Sequence, residues 1–216
     1  QKWEGMEARI ERNIEKLLLL LDEYKVKATF FVLGWVAERY PVLVRTIFNE
    51  GHEIASHGFN HEMITLQSKG AFLHDIIAAK NMLEDITGSK VNGYRAPTFS
   101  IINSSLWALN VLCEQGFSYD SSIFPIRHDR YGIPGANRFP HIIPLSGQSS
   151  IKEFPPSTIQ LCGWNVPIAG GAYLRFLPAQ FIAWGIHRIN KMEKQPAIIY
   201  LHPWELDPEQ PRVAIK

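Results

Sequence analysis

Stretches with helical spacing alternate with short apolar runs along nearly the whole chain, and this alternation limits the fold more than any other feature. Residues 7–23 put Ile10, Ile14, Leu17, Leu18 and Leu21 on one stripe, with charge on the other face. Residues 26–33 (VKATFFVL) have the length and β-branched or aromatic content of a fully buried strand. A helix over 42–50, with Pro41 at its start and Gly51 at its stop, leads to a strand over 52–56. A helix over 72–86 ends at Gly88, followed by a weak strand over 90–94, a helix over 104–115 and a short strand over 117–119. Residues 123–150 hold Pro125, Pro134, Pro140 and Pro144 and read as a long irregular segment that covers or shapes a site. Residues 151–154 predict another strand, 163–171 a second irregular stretch, 178–191 a helix and 197–201 (AIIYL) a last strand. Strands separated by helices predict one α/β domain over 1–216 with a largely parallel sheet. The alternation begins with a helix, although each helix of a β/α barrel follows a strand.

The 216 residues balance 22 Lys plus Arg against 21 Asp plus Glu, a net charge of +1. That balance excludes a chain that works mainly by covering nucleic acid or an anionic membrane with charge. No apolar run approaches the roughly 18 residues of a membrane span, and residues 1–12 are polar and charged, so a cytoplasmic location is expected. Cys113 and Cys162 form no CxxC, and Cys113, on a helical stripe beside Leu109 and Leu112, reads as a buried thiol.

The densest chemical signal is Ser56-His57-Gly58-Phe59-Asn60-His61, directly after a strand. If the segment turns helically, two imidazoles at i and i+4 can face one point and bind Zn²⁺; a pair of surface or capping histidines is the plain alternative. Arg95, Asp120 and His202 likewise follow predicted strands, in RAP, YDSS and LHPWE. Strand C-terminal ends converge on one crevice in barrels and open α/β sheets, so four such groups point to a site. Taken singly, Arg95 could be an ion-pair partner, Asp120 a turn residue and His202 a core histidine. His74 and His187 read as helix-surface residues, and the charged cluster 127–130 as a solvated loop. Trp3, Trp107 and Trp184 read as packing residues, whereas Trp164 and Trp204, near the strand-end face, are candidate sugar platforms.

SHGFNH, RAP, YDSS and LHPWE, in this order and spacing, resemble the later motifs of polysaccharide deacetylases with the NodB-homology domain. KATFFVLGWVAERYP, GHEIASHGFNH, DSSIFPIRHDRYGIP and LHPWELDPEQPR are similar to a bacterial subfamily from exopolysaccharide and PEP-CTERM loci. The resemblance implies a distorted (β/α)7 barrel, a divalent metal, usually Zn²⁺, and hydrolysis of N-acetyl groups on the amino sugars of a polysaccharide. It implies His57 and His61 as metal ligands, and His202 as the general acid, hydrogen-bonded by Asp120, which would raise its pKa. Arg95 would orient a base carboxylate, and a backbone N–H near Thr98 would complete an oxyanion site. Thr98 stands where the family usually has an aromatic residue, with Phe99 following, so both are assigned to the substrate wall. The family's acidic pair on the first strand, source of the base and the third ligand, has no counterpart before His57. The chain is therefore expected to lack its first strand, with the base carboxylate ahead of residue 1. Two readings from other classes stay open, a noncatalytic carbohydrate-binding relative and a hydrolase of small amides.

Overall fold

The computed structural model describes residues 8–210. The elements run α1 (Ile10–Glu23), β1 (Thr29–Val32), α2 (Gly34–Arg39), α3 (Pro41–Asn49), β2 (Glu53–Ser56), α4 (Lys69–Thr87) and β3 (Gly93–Tyr94). They continue with α5 (Trp107–Glu114), β4 (Tyr119–Asp120), β5 (His141–Pro144), β6 (Ser150–Glu153), β7 (Thr158–Leu161) and β8 (Trp164–Pro167). Two helices close the series, α6 (Ala172–Phe176) and α7 (Ala179–His187). The main sheet has the order β1-β2-β3-β4-β6-β5, parallel throughout except for the antiparallel edge pair β5–β6. Strand then helix, repeated, stacks consecutive strands side by side, as right-handed crossovers require.

The alternation of side chains across this sheet decides where the chemistry goes. Val32, Ser56, Tyr94, Asp120 and Glu153 share one register row. The ladder runs one residue further, with N–H groups of His57, Arg95, Ser121 and Phe154 bonded to Val32, Ser56, Tyr94 and Asp120 carbonyls at 2.9–3.0 Å. Successive residues of a strand point to opposite faces. Tyr94 packs edge-on against Phe72 of α4, so its row faces the helices. Arg95 lies 4.2 Å over the ring of Phe31, and Phe154 packs edge-on against Tyr119, so the next row faces the opposite side.

The ends of α4 follow their local chemistry. The Ser68 hydroxyl accepts the Ala71 N–H at the start of α4, and Gly88 ends that helix in the left-handed conformation at φ 67°. Ile14, Leu17 and Leu18 of α1 are buried with Val44 and Ile47 of α3 and Phe72, Ile76 and Leu83 of α4 in the main core. A second cluster joins Ile159 and Ile168 to Ile182 and Ile189. A third joins Phe124, Ile126 and Ala169 to Phe99, Tyr131, Tyr173 and Tyr200. The side chain of Asp207, fully buried, anchors α1 to the C-terminal turn through Arg9 (2.6 Å) and Arg12 (3.1 Å), and the hydrogen bond from Arg9 holds its carboxyl well below the usual range.

Several expectations need correction. The apolar run 197–201 is no strand; its one ladder contact is a parallel bridge between Gly170 and Tyr200, and Ile199 and Leu201 stay exposed. The irregular segment 123–150 contains β5, and 163–171 contains β8, which pairs with β7 in a separate hairpin. Proline- and glycine-rich context masked both, because edge and hairpin strands tolerate what central strands do not. Helix α2, only six residues, is too short for a periodicity to show. Cys113 is only partly buried, its thiol 3.8 Å from the Ser150 carbonyl, and Cys162 is exposed. Trp107 packs on Phe72 as expected, Trp184 is 43% exposed, and Trp3 lies outside the described residues. No helix among the described residues is long and apolar enough to cross a membrane.

Candidate active site

The loop carrying His57 and His61 is not helical, so the two rings are not brought together by an i, i+4 turn. Asp75 of α4 gathers it instead, its carboxylate accepting the N–H groups of Phe59 (2.8 Å) and Asn60 (3.2 Å). A Cβ on Gly58, at φ 75°, would meet Asp75 Oδ2 at 2.7 Å, so glycine permits both the turn and the close approach. His61 itself takes φ 57°, which swings its ring to within 5.2 Å of the His57 ring, edge to face. The Arg95 carbonyl lies 2.6 Å from His57 Nδ1. A carbonyl only accepts, so Nδ1 carries the proton and Nε2 keeps its lone pair for a ligand. Burial pushes the His57 imidazole down to about 3, with His61 adding to the effect, and burial also lowers His61. Both rings are therefore neutral near pH 7, the form that binds metal.

Two neutral, oriented imidazoles fit a divalent ion as two of its ligands. No group of three or more His, Cys, Asp or Glu side chains suited to a metal occurs among the described residues. The donor set therefore falls one short of the three protein ligands usual for catalytic zinc.

Arg95 donates from Nε to the Ser121 carbonyl (2.9 Å) and from Nη2 to the Ser121 hydroxyl (2.5 Å). Its guanidinium faces Phe31, Phe99 and Tyr200, and it makes no ion pair among the described residues. Burial lowers it to about 10, so it remains charged at neutral pH, helped by the field of Asp120 and Glu153. Thr98 and Phe99, three and four residues further on, both adopt positive φ (57° and 50°). A β-branched residue is strained there by roughly 1–3 kcal/mol, and such strain gathers at functional sites. The Thr98 N–H has no backbone acceptor among the described residues.

His202 follows Tyr200 onto the same side. Tyr200 packs against Phe99 at 5.1 Å and against His202 at 5.8 Å, and His57, His61 and Arg95 all act electrostatically with His202. The structure thus brings His57, His61, Arg95, Thr98, Phe99 and His202 together at the strand C-terminal ends.

Asp120 departs from its expected role. It belongs to the helix-facing row, where Oδ1 and Oδ2 accept the Ser122 hydroxyl (2.6 Å) and N–H (3.1 Å). It makes no hydrogen bond to His202 among the described residues, because strand alternation turns it to the other face from Arg95. Its close neighbour is Glu153, which the sequence reading missed. Both carboxyls are fully buried and raised, first by burial and, for Glu153, by the field of Asp120 as well. Glu153 Oε1 accepts the Ile123 N–H, while Oε2 is buried without a donor. One proton held between the two acids satisfies that oxygen.

The carboxylate beside His202 is Glu205. Its Oε2 accepts the His202 N–H at 2.8 Å and lies 3.5 Å from Nδ1. Burial still lowers His202 below 6.5; Glu205 opposes this, and Arg95 and Arg175 add to it. Trp204 stacks on His202 at 5.0 Å and 16°, and Arg175 lies 5.0 Å over the same indole, so Trp204 supports the imidazole rather than offering a free platform. Trp164 is not tied to this cluster. It stands 63% exposed, next to a two-residue turn in which Cys162 and Gly163 both take positive φ. It borders a separate groove of about 700 Å³ with Pro125, Arg127, Gln160 and Asn165.

Residues 5–115 match the model of the polysaccharide deacetylase family, and residues 121–216 match a domain of unknown function, DUF3473. The chain is 35% identical over 94 residues to a peptidoglycan-N-acetylglucosamine deacetylase of Bacillus cereus, covering 43% of this chain and 34% of that protein. It is 33% identical over 119 residues to a peptidoglycan deacetylase of Helicobacter pylori, covering 52% of this chain and 38% of that one. The chain thus spans only about a third of the length of these curated relatives. A crystal structure classed as a polysaccharide deacetylase from Mycobacterium smegmatis superimposes with a TM-score of 0.65 at 25% identity, over 89% of this chain and 64% of that one. The allantoinase PuuE shares the fold at a TM-score of 0.63 and 19% identity, over 90% of this chain and 61% of that one. With a family model matched over more than half its length and the parallel sheet and strand-end cluster in place, the chain belongs to the polysaccharide deacetylases.

Proposed function

We propose that this chain is most of the catalytic domain of a metal-dependent hydrolase that removes N-acetyl groups from the amino sugars of a polysaccharide. The observation that supports this best is the meeting of two neutral imidazoles, a partly buried guanidinium and a third imidazole at one set of strand ends. A divalent ion such as Zn²⁺, held by His57 and His61, would polarise the amide carbonyl and acidify a bound water.

The chain's own residues do the rest. A partly buried, charged guanidinium without an ion pair among the described residues favours the approach of an anion, so Arg95 is suited to orient a carboxylate base. A carboxylate oriented in this way would supply the base, and another the third ligand; neither is assigned among the described residues. The Thr98 N–H is a donor for the developing oxyanion, and Phe99 walls the cleft. His202 delivers a proton to the nitrogen as the C–N bond breaks, so that the sugar leaves as an amine rather than an amide anion. Trp164, with Arg127 and Gln160 along the separate groove, suits a further sugar ring of a polymer.

The short donor set favours a second reading, a noncatalytic carbohydrate-binding relative. Acetate release from N-acetylglucosamine oligomers by the full-length gene product with added zinc separates the two. Release from oligomers but not from small amides supports the deacetylase; binding without release supports the second reading. Hydrolysis of small amides alone would overturn both.

A further inference from the structure

Glu205 is placed more strictly than a helix cap requires. It opens the short turn Pro203–Leu206 by accepting the His202 N–H, a task that an exposed side chain can perform. Yet its side chain is only 7% exposed, and a carboxylate so buried needs charge or hydrogen-bond partners on both oxygens. Oε2 lies 3.5 Å from His202 Nδ1, whereas Oε1 has no hydrogen-bond donor and faces Arg175 Nε at 3.7 Å. Arg175, on α6, also lies over Trp204, whose indole stacks on His202. Arg175, Trp204 and His202 thus form one stack, bridged by Glu205, with the Tyr200 ring edge-on at 89°.

We propose that Glu205, held between His202 and Arg175, is the positioning residue that fixes the tautomer and plane of the His202 imidazole. It takes the place expected for Asp120. A carboxylate at Nδ1 keeps the proton there in the neutral ring, so Nε2 is the nitrogen that gains and gives the transferred proton. Arg175 sets the strength of the effect by drawing on the other oxygen. This role deepens the deacetylase reading and rests on it, but its test does not need turnover.

The groups facing His202 are Glu205, Arg175, Arg95, Tyr200 and the two imidazoles His57 and His61. Nuclear magnetic resonance titration of the eight histidines, with His202 assigned by its loss in His202→Gln, reads the ring directly. Glu205→Gln keeps the cap and removes the charge, so the His202 midpoint should fall by about half a pH unit or more, and the Nε2–H tautomer should gain weight. Arg175→Gln should move the midpoint the other way. In an active full-length protein, the alkaline limb of kcat should follow the same two shifts, since a general acid works only while protonated. An unchanged His202 midpoint in Glu205→Gln with an intact amide spectrum overturns the proposal. If Glu205→Gln does not fold, a fall of the midpoint in Arg175→Gln overturns it instead. Absence of deacetylation in the wild-type protein overturns the deacetylase reading while leaving the titration result standing.

Discussion

The two halves of the site are held by different forces. His57 and Arg95 extend paired parallel strands, and backbone hydrogen bonds at 2.9–3.0 Å continue the ladder through both residues. His202 follows a segment with one β-bridge, Gly170–Tyr200, and scattered backbone bonds such as Ser157 N–H to the Ile198 carbonyl (3.1 Å), and side-chain contacts with Tyr200, Trp204 and Glu205 order the imidazole itself. A ladder fixes direction through every residue, while a stack of rings fixes only the residues within it. The ligand side should therefore be rigid and intolerant, and the acid side separable from it by mutation.

The largest effect should come from the ligand side. His57→Ala in the full-length protein should abolish zinc binding and deacetylation together, as measured by calorimetry and acetate release. Retained zinc would mean that the imidazole pair is not the metal site. His202→Ala should lower kcat by about 10²–10⁴ and leave zinc affinity nearly unchanged. If that variant instead melts early and keeps near-normal kcat in its folded fraction, His202 is a packing residue. A Cβ at Gly170 would lie 1.8 Å from the Tyr200 carbonyl oxygen. Gly170→Ala should thus displace the bridge and slow turnover by about tenfold, through a misplaced His202. Zinc binding should survive, and a loss of both would erase the distinction between the halves.

The smallest effect sharpens the contrast between the two faces of the sheet. Glu153 is raised well above 4.5 in the folded protein, so the native state keeps a proton that the unfolded chain releases. Wild-type stability from this source is full below about pH 4.5 and falls as pH rises toward the folded value. Glu153→Gln can donate to Asp120 without a proton to lose. Its melting point should exceed that of wild type at pH 8, by an amount equivalent to about 1 kcal/mol or more, with the gain vanishing near pH 4.5. A pH-independent difference would show that the two acids share no proton.

Much of the fold is legible in the residues themselves. Helix stripes such as Ile14, Leu17 and Leu18, stops such as Gly88 and the apolar run VKATFFVL place five parallel strands among the described residues in their order. So does the position of His57, Arg95 and His202 after strand-like runs, because β/α alternation sends such ends to one side. Asp120 lies one residue before the row that faces the site, and a period of two reverses the face at every step, so the expected bond to His202 does not form among the described residues. Glu205 stood within LHPWE, three residues after His202, and that spacing across a proline-initiated turn was the available signal.

Local pattern and turn chemistry thus determine the α/β order, the strand-end placement of the imidazoles and the glycines that permit the His57–His61 loop, since each depends on neighbours in sequence. Only the tertiary structure decides which acid serves which base. Glu153 meets Asp120 across 33 residues and Arg175 meets Glu205 across 30, and register and packing, not sequence proximity, set those distances. Burial then sets the charge, lowering His57 and His202 and raising Asp120 and Glu153, because a low-dielectric surrounding penalises whichever form is ionised.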